Sequence, residues 1–528
     1  MVTRVRSEAP TGAPLLCQVL DIPEEDWQAL PERVRRGVTR LWEELQRLRE
    51  QVGQTSRNSS RPPSSDPPSV PAREKKPSGR APGGQQGHPG HSRALVPEEH
   101  VNEFVPVRPE ACAKCGGALT EASPDLHPRR HQVHELPTVQ ARVTEYQLHT
   151  LTCPECGAHT PAALPRGVPP GLLGPRALAF IATLTGRYHL SKRLAAALLE
   201  DAYSLPVCEA TVSAAEQTVS AALAAPVAEA LEAVQQASDK GIDETGWRQQ
   251  RDPDPLLCAW EQAEGRSAPL PPPAPAPGRL PKAWLWVAVS AVATVFLIRR
   301  SRGAKVAEEL LGKKPFGSVH TDRWSSYNWL RAGIRQLCWA HLRRDFEQIR
   351  ERGGDSARVG SALLAQTQYL FSLWHRYRDG PLSWRQFRKQ MAPLQEAVGT
   401  LLREGAALAD LSAGPQAEAC GEGPARKTTR TCQNLLAWEA SLWTFVRVRG
   451  TEPTNNRAEQ AVRAAVLYRK ISFGTQCSAG SRYVERVLTA VATCQQHHRT
   501  VLDYLTEAVT AHYRGERIPS LLPTPATV

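Results

Sequence analysis

The sequence predicts a multidomain chain. A mixed α/β core is split by a helical insertion and preceded by an N-terminal helix, a disordered linker, a cysteine-rich module and a helical region. Three observations predict this. At 528 residues the chain is too long for one ordinary core, since domains average ~150 residues. Its prolines crowd into a few stretches, which read as linkers. Between them the texture shifts from helical periodicity to short, continuous apolar runs and back.

Residues 1–52 are read as the first unit, helical over 22–52. Apolar side chains fall at Leu30, Val34, Val38, Leu41, Leu45, Leu48 and Val52. From Val34 onward the steps alternate four and three, the 3.5-residue repeat of a coiled-coil seam. One amphipathic helix packed on its own protein gives the same pattern, and both readings stand. Residues 53–100 combine Ser, Pro and Gly with little apolar content, as in NSSRPPSSDPPSVP, so they form a disordered linker. From Arg57 to Arg93 this linker carries seven Arg or Lys against Asp66 and Glu74, which suits either a solvated spacer or an arm along a phosphate backbone.

Residues 101–165 hold two CxxC pairs, Cys112 with Cys115 and Cys153 with Cys156, each followed by Gly. That spacing lets two thiolates of one turn ligate one ion, and two such knuckles make a structural four-thiolate Zn²⁺ site. A redox CxxC does not account for two copies. The intervening VHELPTVQARVTEYQLHTL reads as strand-like. Residues 166–236 are rich in Ala and Leu and helical. Ser191 to Leu205 forms one helix, Pro206 breaks it, and Thr211 to Leu223 forms the next, an order that suits a DNA-binding helix-turn-helix or any small helical hairpin.

Residues 237–344 change to strands: GIDETGW, then WLWVAVS and ATVFLIR, a helix near Gly303 to Leu311, GSVHTD, and IRQLCW. Strand, hairpin, helix, strand is the order of a mixed sheet such as an RNase H-like core. The stretch 252–281 contains PLPPPAPAP and is an exposed loop insertion. Residues 345–450 are helical and read as an insertion, 451–515 as the core's C-terminal helices, and 516–528 as a frayed tail.

Asp243 and Asp322 each close one of these strands, which points their carboxylates into the crevice above the sheet. Side by side they repel, and a divalent cation turns the pair into a hard oxygen site. Holding two metals for in-line phosphoryl displacement needs a third carboxylate. Glu459 supplies it, on a helix that Pro453 and Thr454 start. Asn456, Glu459 and Arg463 share one face of that helix.

Six stretches in order, DETGWR, WLWVAV, HTDRWSSYN, CWAHLRRDF, PTNNRAEQAVR and RKISFGTQCSAG, run from 243 to 480. In these the segment from Asp239 to Cys494 resembles the catalytic domain of the insertion sequence 66 family of bacterial transposases. The seam, the linker, GGQQGHPG and the cysteine module follow the same order upstream. The resemblance implies an RNase H-like fold with an Asp–Asp–Glu triad of Asp243, Asp322 and Glu459 holding two Mg²⁺ or Mn²⁺ ions. It also implies that Asn455, Asn456, Arg457, Arg463, Arg469 and Lys470 position DNA phosphates. Cys338 and His341 resemble a CxxH element found near the second Asp in several transposase groups. Two ligands do not complete a zinc site, so they are read as candidates for catalytic support.

The expected activity is metal-dependent cleavage of insertion-element ends and strand transfer into target DNA. A zinc-dependent DNA-binding regulator with an inactive catalytic domain and an RNase H-like nuclease are the alternatives. A formal charge of +12 agrees with a polyanionic partner. The expected partners are element terminal repeats, target DNA, a second copy on DNA and accessory proteins, not a membrane. The apolar run from Ala283 to Ile298 is shorter than the ~20 residues that cross a bilayer. A cytoplasmic location follows, with the cysteines reduced.

Overall fold

The computed structural model describes residues 20, 22–55, 58, 94–119, 129–249, 282–411 and 424–523. The expected linker therefore falls mostly outside the described residues, as do the whole loop insertion 252–281 and the last five residues of the tail. None of the helices among the described residues is long and apolar enough to cross a membrane.

The N-terminal helix is two helices, α1 (Glu24–Ala29) and α2 (Glu32–Gly53). Pro31 explains the break: it pushes Leu30 into an extended conformation and then starts α2. In the cysteine module, β1 (Thr150–Thr152) and β2 (His159–Pro161) form the one ladder among the described residues. The expected strand character of 133–149 is absent, and its apolar side chains Val133, Leu136 and Val143 are exposed.

Four helices follow: α3 (Pro175–Gly186), α4 (Lys192–Tyr203), α5 (Glu209–Ala222) and α6 (Ala224–Gln236). Ser191 caps α4 by accepting the Leu194 N–H at 3.2 Å, and Ser204 ends it in the left-handed conformation. The helix-turn-helix order is present. Val212, Ala215, Glu216, Val219 and Ser220 bury one side of α5. The exposed positions left are Glu209, Ala210, Ala214, Gln217 and Ala221, none of them basic.

The sheet has five strands: β3 (Asp239–Arg248), β4 (Lys282–Ser290), β5 (Thr294–Arg299), β6 (Ser318–Thr321) and β7 (Arg335–Leu337), in the order β5-β4-β3-β6-β7. β3, β4 and β5 form an antiparallel meander, while β6 and β7 run parallel to β3. Between β5 and β6 lies α7 (Ala304–Leu311). After β7 come α8 (Trp339–Glu351), α9 (Gly354–Arg378), α10 (Trp384–Leu411), α11 (Pro424–Ala437), α12 (Glu439–Leu442) and α13 (Thr444–Arg447). The chain then returns through α14 (Asn456–Ser472), α15 (Ser478–Gln496) and α16 (Val501–Arg514).

Two hydrophobic cores result. One joins the sheet to α3, α5, α6 and α14–α16, so the helical region 166–236 shares the sheet's core instead of forming a separate unit. The other lies within α8–α13, from Leu337 to Val446, and gives the helical insertion an interior of its own. The tail is packed through Leu521, which is fully buried, and Tyr504 donates its hydroxyl to Pro519 O at 3.0 Å.

Candidate active site

The period-two alternation of β3 decides which of its residues enter the site. Odd-numbered residues turn toward α14. Gly241 lies beneath Asn455 and Ala458, Asp243 faces Glu459, Thr245 accepts from Arg469 Nη1 at 3.3 Å, and the Trp247 ring lies tilted at 6.2 Å from that of Tyr468. Lys240 and Glu244 turn the other way, toward Gln235 and Tyr327.

Asp243 is not at the end of its strand, as the sequence suggested, because β3 continues to Arg248. It is the neighbouring strand that ends there. β6 pairs with β3 only over Asp239–Gly241, and Asp322 follows directly after Thr321. The two aspartates therefore meet where β6 stops and the sheet opens. Asp322 is fixed by its own turn: Oδ1 accepts the Trp324 N–H at 2.8 Å, and the buried Arg335 donates to its carbonyl at 3.0 Å.

Glu459 arrives on the first turn of α14, half-buried. Asn455 docks that turn. Its Nδ2 donates to Ile242 O at 2.8 Å, its carbonyl accepts the Glu459 N–H at 3.1 Å, and its own N–H donates to Cys338 Sγ at 3.2 Å. The electrostatics show the convergence. Asp243 is partly open to the cleft, but protein crowds its carboxyl. Burial first, then the charges of Glu244, Asp322 and Glu459, push its pKa well above the carboxylate range. The oxygens of Asp243, Asp322 and Glu459 do not all lie within 4.8 Å of one another, so they form a cluster wider than a single ion's ligand set.

Sequence reasoning missed the groups behind the triad. Glu244 is buried and accepts from Tyr327 Oη, Arg302 Nε at 2.9 Å and Arg302 Nη2 at 2.8 Å. Burial and the Asp322 charge raise its pKa, while Tyr327 and Arg302 oppose the rise. Arg302 is held between two indoles, 4.5 Å from the Trp284 ring centre and 3.8 Å from that of Trp324. The DET triplet contained this second acid, but nothing local in sequence shows that its side chain faces Tyr327.

The six expected phosphate contacts divide evenly. Asn456, Arg463 and Lys470 are exposed. Asn455 is buried as the dock just described. Arg457 is paired with Asp239, and Arg469 donates to Gly246 O and Thr245 Oγ1. Even so, Arg469 and Lys470 join Arg248 and Lys282 around a groove of about 530 Å³ that also has Trp284 and Phe473 in its wall.

Cys338 and His341 sit at the start of α8. Cys338 is buried, and burial plus the Glu459 charge push its thiol up to about 12. Each CxxC knuckle is formed: the N–H of Cys112 donates to Gly117 O, and that of Cys153 to Ala158 O, with Gly116 and Gly157 at φ of +73° and +71°. Backbone N–H groups of Lys114 and Cys115 lower the Cys112 thiol, and those of Cys156 and Glu155 lower Cys153. The four knuckle cysteines do not form one ligand set among the described residues. Among the described residues, the ligand group brought together is Cys338, His341 and Glu459 instead.

Residues 268–483 match the family model described as Transposase IS66 family. The segment is a transposase IS66 family domain. An uncharacterized protein, y4qI, of Sinorhizobium fredii is 27% identical over 277 residues, which covers 48% of this chain and 49% of that protein. The chain thus spans about half the length of this curated relative. Residues 16–94 match a family of unknown function, DUF6444. The transposase domain includes Asp322, Cys338, His341 and Glu459. Asp243 lies upstream of it, on the strand that pairs with β4 and β6.

Proposed function

We propose that the protein is a DNA transposase with an RNase H-like core, cutting element ends and joining them to target DNA. The observation that carries this reading is the meeting of Asp243, on β3, with Asp322 after β6 and Glu459 on α14, the last two inside the segment that matches the transposase family. A meander followed by two parallel strands is also the order expected of an RNase H-like sheet. The three carboxylates fit hard divalent cations, Mg²⁺ or Mn²⁺, which would supply charge neutralisation at the phosphodiester. No protein nucleophile is needed for in-line displacement by water or a 3′-hydroxyl.

The chain's own residues have the remaining tasks. Burial and mutual repulsion keep Asp243 ready to exchange a proton for a cation. Glu244, Tyr327 and Arg302 brace the opposite face of β3, and Arg335 holds the Asp322 turn. The groove with Arg248, Lys282, Arg469 and Lys470 would offer a basic path for the DNA backbone. The cysteine knuckles would hold Zn²⁺ through Cys112, Cys115, Cys153 and Cys156 once the two turns come together.

The purified chain is expected to nick DNA carrying its own element ends in Mg²⁺ or Mn²⁺, and Glu459→Gln to stop nicking while gel-shift binding persists. Full cleavage by Glu459→Gln would remove it from the triad. Tight binding with no product in any divalent metal would favour the regulator with an inactive catalytic domain.

A further inference from the structure

In sequence, Cys338 and His341 are two ligands without a third. The fold supplies the third from 118 residues downstream, counted from His341 to Glu459. Two backbone contacts bring them together: the Trp339 N–H donates to Pro453 O at 3.0 Å, and the Asn455 N–H donates to Cys338 Sγ at 3.2 Å. The start of α8 is thereby tied to the loop that launches α14. Cys338 Sγ then lies 3.5 Å from Glu459 Oε1, and His341 Nδ1 lies 3.4 Å from the same oxygen. The three ligand atoms are all within 4.8 Å of one another.

His341 makes the arrangement informative. Its Nδ1 is near enough to Glu459 for an ion pair but makes no hydrogen bond, and the atom is buried. A buried ring nitrogen without a hydrogen-bond partner calls for an explanation. Its neighbours are a thiol and a carboxylate oxygen, both ligand types. An N–H aimed at a cysteine sulfur is also what a metal-bound thiolate accepts in its outer shell.

We propose that Cys338 Sγ, His341 Nδ1 and a Glu459 carboxylate oxygen form a binding site for one zinc-class divalent cation, with the fourth position open. The donor set separates it from the neighbouring aspartates. Thiolate and imidazole select Zn²⁺ or Co²⁺, whereas a carboxylate pair selects Mg²⁺ or Mn²⁺. On binding, the cation displaces the thiol proton to solvent and forms the metal–sulfur bond. Glu459 belongs to both sets. On the triad reading proposed above, an ion here draws Glu459 away from Asp243 and Asp322 and opposes Mg²⁺-dependent cleavage.

The test is Co²⁺ titration of the full chain, stripped by chelator and carrying Ser at Cys112, Cys115, Cys153 and Cys156. One equivalent should bind, with a thiolate-to-cobalt band in the near ultraviolet. Cys338→Ser should abolish the band, and His341→Ala should weaken binding by at least about tenfold, a floor set by what losing even an outer-shell contact costs. An unchanged band in Cys338→Ser overturns the site, as does no cobalt bound by protein with the wild-type circular dichroism spectrum. Should the serine variant not fold, zinc stoichiometry decides: Cys338→Ser in the otherwise native chain must bind one ion fewer than the native chain. These readouts do not use cleavage. Cobalt bound by a chain that never cuts DNA would sink the transposase reading and leave this site standing.

Discussion

At the scale of single residues, the site concentrates negative charge around Asp243. Asp243 shows the cost. Its folded-state pKa is raised, first by burial and then by Glu244, Asp322 and Glu459. The folded protein therefore holds that proton more tightly than the unfolded chain. Without divalent cations, stability is lost as pH rises above the unfolded value near ~4. Asp243→Asn removes the charge, so it is expected to raise the metal-free melting temperature at pH 7, with the gain vanishing near pH 4. The same variant should lose cleavage on the order of 10³-fold or more, since metal neutralisation contributes several kcal/mol. A calorimetric melt paired with a Mg²⁺ nicking assay checks both halves, and a variant that melts earlier than wild type at pH 7 would contradict the electrostatic account. The three acids were legible in sequence because each stands in a long, ordered motif. Glu244, Arg302 and Tyr327 were not. Their roles depend on which face of β3 a side chain occupies and on an indole pair, Trp284 and Trp324, that is 40 residues apart in sequence.

At the scale of elements, the site depends on how closely α14 approaches β3. Gly241 permits that approach. A Cβ there would stand 2.5 Å from Asn455 Oδ1 and 3.4 Å from the Ala458 Cβ. Gly241→Ala must push the first turn of α14 outward and strain the Asn455 bond to Ile242. A cost of about 1–3 kcal/mol is expected, as in other overpacked cores. Cleavage should fall on the order of 100-fold, because Glu459 moves with the turn. Chemical denaturation and nicking assays test this, and wild-type values in both would show that the contact is slack. A second tie is ionic. Asp239 on β3 accepts from His320 at 2.7 Å and Ser318 at 2.6 Å on β6, and pairs with Arg457 on α14. Burial opposes its charge, yet these three partners hold its pKa below the usual range. The stabilisation is thus complete above the unfolded value near ~4 and lost as pH falls through the folded one. Asp239→Asn should cost about 1–3 kcal/mol at pH 7, and its stability should converge on wild type in acid. A difference that persists undiminished at pH 2 would assign the loss to packing instead. Strand and helix identities were readable from periodicity. The pairing of Asp239 with Arg457 was not, since it joins residues 218 apart and turns an apparent phosphate contact into a brace.

At the scale of the whole molecule, the chain divides its apolar surface unequally. The sheet and its flanking helices close one core, and α8–α13 close a second that begins at Leu337, one residue before Cys338. The insertion is therefore anchored beside the site, which keeps Cys338 and His341 against Glu459 although more than a hundred residues intervene in sequence. The N-terminal α2 is different. Val34, Leu41, Leu45 and Leu48, at steps of seven, four and three, are all exposed, Leu41 by 73%. A seam of that period is suited to meet another helix, and these side chains are left exposed among the described residues. A second copy is the partner that satisfies the repeat without another gene product, and on the proposed transposase function pairing two element ends also calls for two copies. The full chain is expected to scatter light as a dimer. Leu41→Glu together with Leu48→Glu removes two buried leucines per helix from such a dimer, each contributing about 1.5–3 kcal/mol. Dimerisation should weaken by at least about 100-fold, leaving a monomer at micromolar concentration with its sheet and zinc-class site unchanged. A wild-type chain that is monomeric with and without DNA would remove the zipper, and the exposed leucines of α2 would then have to meet a protein of different sequence.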